Sequence, residues 1–177
     1  MRSGDAWGHF FATALRSCHA AAVSPSSAVV AIHIGEEESG PLRSVDSVRA
    51  VSGRGLEGDR NFHADGAGSG KALTLVEEES VEDAGLEAGA TRRQITVRGI
   101  RLNDLLGKRF RVGDVECLAV RLCEPCKHLE SMTRPGLIED LLHCAGINAD
   151  ILSEGTISVG DEVRVVEDDR SPVADRA

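Results

Sequence analysis

Two thiols set two residues apart, Cys123 and Cys126 in the stretch RLCEPCKHLE, are the side chains whose type and spacing fit them best for chemistry. A cysteine acts as nucleophile or soft metal ligand only as its thiolate, so whatever favours the anion decides which sulfur works. The run VECLAV before the pair alternates and reads as a strand, while Leu129 and Met132 after it fall at helical spacing, which puts Cys126 near the start of a helix. There the helix dipole and unpaired backbone N–H groups favour a thiolate, and Lys127 and His128 add positive charge beside it. Pro125, with its fixed φ, is expected to stiffen a turn between the two sulfurs.

Four other uses of these cysteines compete with a reactive Cys126. A buried cysteine is a small hydrophobe, and that reading stands for Cys18, Cys117 and Cys144. A thioredoxin-like redox pair needs βαβ units around the motif, whereas the flanking segments read as short hairpin strands. Zinc would draw on Cys123, Cys126, His128, His143 and Cys144, but the ligands on either side of a helix do not form two compact knuckles. Cys117, Cys123, Cys126 and Cys144 approach the spacing of a plant-type iron–sulfur site, with one residue too many in the first gap and Cys117 inside a strand.

Two glycine-rich strings resemble phosphate-binding loops and fail on context. GRGLEG, with Gly53, Gly55 and Gly58, has the dinucleotide spacing, yet DRNFHADGAGSG follows it and cannot hold the helix whose N-terminus would meet a pyrophosphate. GAGSGK ends on Lys71, but Ala72 stands where a hydroxyl must bind magnesium. What remains is a loop carrying Asp59, Arg60, His63 and Lys71, whose glycines allow either close approach to a ligand or a tight barrel corner.

The elements that must position these residues are mostly strands. VVAIHI, LRSVDSVRAV, ALTLV, QITVR, RFRV, VECLAVR, TISV and EVRVV give about eight, and the echo between RFRVGDVEC and TISVGDEVRV predicts tight hairpins at Gly113–Asp114 and Gly160–Asp161. Helical patterns are few: EEESVEDAGLE, and PGLIEDLLHCAG with Pro135 at its first position and Gly146 as its C-terminal cap. Short strands with two or three short helices and no long crossovers fit a mainly-β fold, a closed or nearly closed β-barrel. Residues 1–27 and 168–177 read as flexible tails around one domain at 28–167.

The 177-residue chain carries a net charge of −9, which disfavours a nucleic-acid or anionic-membrane surface. No run approaches the ~20 apolar residues of a membrane span, no secretory leader pattern opens the chain, and five cysteines without framework spacing fit a reducing compartment, so a cytoplasmic location is expected.

Taken in series, GRGLEGDR, RRQITVRGIRLNDLLGKRFRVGD, RLCEPCKHLE and GINADILSEGTISVGDEV resemble the MOSC domain, the module named for the C-terminal part of molybdenum cofactor sulfurase. The resemblance runs in order from about residue 28 to residue 166. It implies a β-barrel like that of pyruvate kinase, an essential cysteine matching Cys126, and a cleft for the molybdenum–pterin cofactor (molybdopterin). Gly58, Asp59 and Arg60 would then shape the cleft. Lys71, Arg92, Arg93 and Arg98 become candidates for the cofactor's phosphate, since a guanidinium grips phosphate through parallel hydrogen bonds. Gln94 and Asn61 depart from the family's usual Asn and His, with His63 a substitute for the latter. The resemblance leaves two roles open: a reductase of N-hydroxylated compounds with Cys126 on molybdenum, fed by a separate electron-donor protein, or a sulfur carrier with a Cys126 persulfide. In the second, sulfur would come from a separate cysteine desulfurase, because no pyridoxal-phosphate domain is expected on this chain. A zinc-stabilised or plain binding module is the third reading.

Overall fold

A computed structural model describes residues 27–166. The expected tails lie outside these residues, save Ser27, whose hydroxyl donates to the Val163 carbonyl. Eleven strands carry the fold: β1 (Ala28–Gly35), β2 (Leu42–Val45), β3 (Ser47–Val51), β4 (Gly55–Leu56), β5 (Leu73–Glu77), β6 (Ile95–Arg98), β7 (Arg109–Val112), β8 (Val115–Leu122), β9 (Ile147–Ile151), β10 (Gly155–Ser158) and β11 (Val163–Val165). Three short helices interrupt them, α1 (Glu78–Asp83), α2 (Lys127–Met132) and α3 (Leu137–Asp140), together with a 3-10 turn at Leu102–Leu105.

The main sheet has eight strands in the order β11-β7-β8-β9-β5-β6-β1-β2. It curls until its first strand returns to β1: Ala28 bridges Glu162, Val29 N–H donates to the Asp161 carbonyl at 2.9 Å, and Gly160 N–H donates to Val29 at 2.8 Å. Such closure leaves no free edge at the seam. A second sheet, β10-β3-β4, covers part of the wall. Inward-facing positions supply the core, with Ile32, Leu73, Leu75, Ile95, Val97, Phe110 and Ile147 all fully buried. A smaller cluster of Leu129, Leu137, Leu141 and Ala145 seats α2 and α3 on one end. The mainly-β barrel with short helices is therefore what the sequence predicts.

Several local expectations change. Gly160–Asp161 is a turn but not a hairpin, because β10 pairs with β3 and β11 with β7; the Asp161 carboxylate instead accepts from Ser158 N–H at 2.8 Å, bending the chain from one sheet to the other. LRSVDSVRAV divides at Asp46 into strands of different sheets. The helix expected from Pro135 begins two residues later, after Gly136 in the left-handed region, and ends at Asp140. Gly146 does not cap it: a Cβ there would sit 1.9 Å from the Leu75 carbonyl oxygen, so this glycine lets the backbone entering β9 press against β5. Those two strands pair antiparallel, and β9 was missing from the predicted set although Ile147, Ala149 and Ile151 alternate inward. One parallel pair exists, β5 with β6, joined through α1.

Candidate functional site

The strand β8 ends at Leu122 and delivers the CEPC segment to one mouth of the barrel. Cys126 is the N-cap of α2, exposed, with no side-chain capping bond, and its carbonyl accepts from Glu130 N–H at 3.0 Å. Leu129, buried one turn later, fixes α2 to the smaller apolar cluster and so fixes Cys126. The expected turn between the sulfurs is absent. No turn or bend lies between Cys123 and Cys126, and both are free thiols. Among the described residues no group of three or more His, Cys, Asp or Glu side chains is arranged to hold a metal.

Cys126 opens into a cavity of about 430 Å³ whose wall includes Arg60, Asn61, Arg92, Arg93, His128 and Glu38. Arg60 and Arg92 stand side by side over Gly35, where a Cβ would lie 2.7 Å from Arg60 Nη1 and 3.7 Å from Arg92 Nη2. Burial lowers the Arg92 pKa and the neighbouring Arg60 charge lowers it further, with Asp59 opposing. Arg92 holds the loop after β1 by donating to Gly40 and Glu37 carbonyls at 3.0 and 3.3 Å, while its buried Nε has no partner. The Arg60 guanidinium has no hydrogen-bond or ion-pair partner among the described residues. Two adjacent cations without a carboxylate between them form a seat for an anion.

Asp59 offsets part of that charge but pairs with neither guanidinium, because the hydrogen bonds of its buried carboxylate go elsewhere. It accepts from Gly35 N–H at 3.0 Å, Asn61 N–H at 2.9 Å and Gln94 Nε2 at 2.8 Å. Gln94 in turn accepts from Thr74 N–H at 2.8 Å through Oε1. This relay ties β5, β6 and the end of β1 to the loop that presents Arg60. Gly58, in the left-handed region, opens that loop.

Arg93 lines the cavity differently. Its guanidinium donates to the carbonyls of Ala145, Thr91 and Cys123 at 2.9, 3.0 and 2.9 Å, so it clamps the CEPC segment in place. Glu124 adds a second tether, accepting from His143 N–H at 3.0 Å and facing His143 Nδ1 at 2.6 Å. Burial alone would raise the Glu124 carboxyl; the hydrogen bonds and charge of His143 outweigh it and hold the group below its ordinary value.

The remaining predicted residues lie elsewhere. Arg98 is ion-paired to Glu78 on the surface, Lys71 is exposed beside Gly68, and His63 and Lys127 do not line the cavity. Asn61 lines it in place of His63. Glu38, Thr91 and the positioning role of Gln94 went unread, since nothing local in the sequence brings residues 38, 61, 91 and 126 to one mouth. Cys123 is half-buried and does not line the cavity. His128 Nε2 lies 3.3 Å from Ser39 Oγ, joining α2 to the rim loop.

Solved structures of several proteins share this fold. The YuaD protein from Bacillus subtilis superposes with a TM-score of 0.64 at 19% identity, covering 78% of this chain and 95% of that one. YiiM from Geobacillus stearothermophilus gives 0.60 at 22% identity over 80% and 75% of the two chains. YiiM from Escherichia coli gives 0.59 at 16% identity over 79% and 70%. A comparison with curated proteins found no match. The family model of the MOSC domain matches residues 62–164, more than half of the sequence, and with the barrel and the Cys126 cavity in place the chain belongs to the MOSC domain family.

Proposed function

We propose that this protein binds the molybdenum cofactor in the Cys126 cavity, with Cys126 as the protein ligand to the metal, and works as an oxidoreductase on N-hydroxylated small molecules. The observation that carries the reading is the meeting, in one cavity, of an exposed thiol with two neighbouring guanidinium groups that form no ion pair among the described residues. A soft thiolate suits molybdenum, and paired guanidinium groups suit a phosphate-bearing cofactor. When bound, such a cofactor supplies two-electron oxygen-atom chemistry.

The chain's own residues divide the work around it. Arg60 and Arg92 hold the phosphate, and Asp59 with Gln94 keeps Arg60 aimed at it. Arg93, the Glu124–His143 pair and Leu129 keep the Cys126 thiol at the cavity wall. Glu38 and His128 line the opening where substrate would enter. Electrons would come from a separate donor protein.

Protein made in a host that synthesises the cofactor is expected to carry molybdenum and a pterin that fluoresces after oxidation. Cys126→Ser should lose the metal, and Arg60→Ala with Arg92→Ala should lose the pterin, while circular dichroism stays unchanged. The rival role, a persulfide carrier, predicts no retained pterin and rapid loading of Cys126 by a cysteine desulfurase, released by cyanide as thiocyanate. That result would overturn the reductase reading.

A further inference from the structure

Residues 36–40, in the loop from β1 to β2, stand at the rim of the Cys126 cavity. Among the described residues three side-chain contacts hold them there. Arg92 Nη1 donates to the Gly40 carbonyl at 3.0 Å, Arg92 Nη2 donates to the Glu37 carbonyl at 3.3 Å, and Ser39 Oγ meets His128 Nε2 at 3.3 Å. The last contact ties the loop to α2, two residues beyond Cys126. Glu36, Glu37 and Glu38 are exposed, and Glu38 lines the cavity itself.

Arg92 therefore faces two tasks with one guanidinium. Such a group grips an anion through parallel N–H bonds, along either its Nε–Nη edge or its Nη1–Nη2 edge. The first edge is closed to the cavity, because Nε is buried. The second is the edge that holds the loop. A two-pronged grip on an anion thus costs Arg92 at least one loop carbonyl, and the longer bond, to Glu37, is the weaker. The same anion would share the cavity with the Glu38 carboxylate and repel it. Arg92 reaches this position from a left-handed backbone, φ 58°, a conformation that costs energy outside glycine and collects at switches and clamps.

We propose, on the reading of Arg60 and Arg92 as the seat of an anion, that residues 36–40 are a strap governed by that seat. With the seat empty, Arg92 ties the strap to the rim. An anion held by Arg60 and Arg92 frees the Glu37 carbonyl first, pushes Glu38 outward and leaves a wider mouth in front of Cys126. Coupling of this kind is reciprocal, so whatever loosens the strap must tighten the anion.

The test is NMR of the nitrogen-15-labelled full chain titrated with inorganic pyrophosphate. Saturation should lower the heteronuclear NOE of the backbone amides at 36–40 and leave those of β1 unchanged. Ser39→Ala removes the tie to α2 without altering charge, and should tighten pyrophosphate about two- to tenfold. Arg92→Lys keeps the charge but loses the fork; its strap should be loose from the start and indifferent to pyrophosphate. Should Arg92→Lys fail to fold, Ser39→Ala, an exposed position, decides. Pyrophosphate that binds, and is weakened by Arg60→Ala, yet leaves the strap unchanged would overturn the strap and spare the seat, as would binding to Ser39→Ala no tighter than to wild type. Pyrophosphate that does not bind, or binds Arg60→Ala equally well, would overturn the seat and the strap with it.

Discussion

At the scale of single residues, three free thiols in one barrel have three different fates. Cys117 is sealed in β8, where burial, with the nearby Glu116 and Asp150, pushes its thiol up to about 12. Cys126 is exposed and Cys123 half-buried. Brief treatment of native protein with iodoacetamide, read by peptide mass spectrometry, should modify Cys126 first, Cys123 more slowly and Cys117 only after denaturation. Faster labelling of Cys123 would reverse the order proposed for the pair. Mild peroxide should likewise oxidise the exposed Cys126 before Cys123. Gln94 offers a separate test. Gln94→Ala strips one donor from buried Asp59 and one acceptor from Thr74, a loss of about 1–3 kcal/mol by urea denaturation. A neutral result would mean that the relay does not hold the Arg60 loop.

Among the elements, what could be read in advance was what depends on neighbours along the chain. The alternation of VECLAV, the turn at Gly113 and the acidic start of α1 are local, and each appears where the residues put it. What could not be read depends on partners far away. Arg92 and Arg93 look alike in sequence and both line the cavity, yet Arg92 holds the loop after β1 while Arg93 clamps the CEPC segment, because the Ala145 and Cys123 carbonyls reach Arg93 only through the sheet order. The β9 strand was hidden because INADI follows an apolar helical pattern and carries Asn148 and Asp150, both poor strand formers. The approach of β9 to β5 gives a sharp prediction. Gly146→Ala should cost more than about 3 kcal/mol or prevent folding, since it adds a steric clash to a residue at φ 101°. Gly85→Ala, at φ 65° with open space around it, should cost only about 1 kcal/mol. Equal losses in thermal melts would show that backbone conformation alone, and not the contact with Leu75, sets the penalty.

For the molecule as a whole, burial of Glu77 leaves a mark on the pH dependence of stability. Desolvation raises its carboxyl above the ordinary value, against the Leu102 hydrogen bond and the Arg101 charge. Between the ordinary and the raised value the folded protein holds the proton more tightly than the unfolded chain, so this residue's contribution is greatest in acid and is lost as pH rises through that window. The stability difference between wild type and Glu77→Gln, from urea melts taken from about pH 4 to about pH 7, should therefore fall as pH increases. A rise would mean that the Arg101 pair outweighs burial. The seam of the barrel carries a further consequence, for folding in time. Its bonds join Ser27 to Val163 and Val29 to Asp161, so they close a loop almost as long as the domain and come at the highest entropy cost of any contact. A chain emerging from the ribosome cannot make them until β11 is out, and until then β1 and β7 present open edges to every other chain nearby.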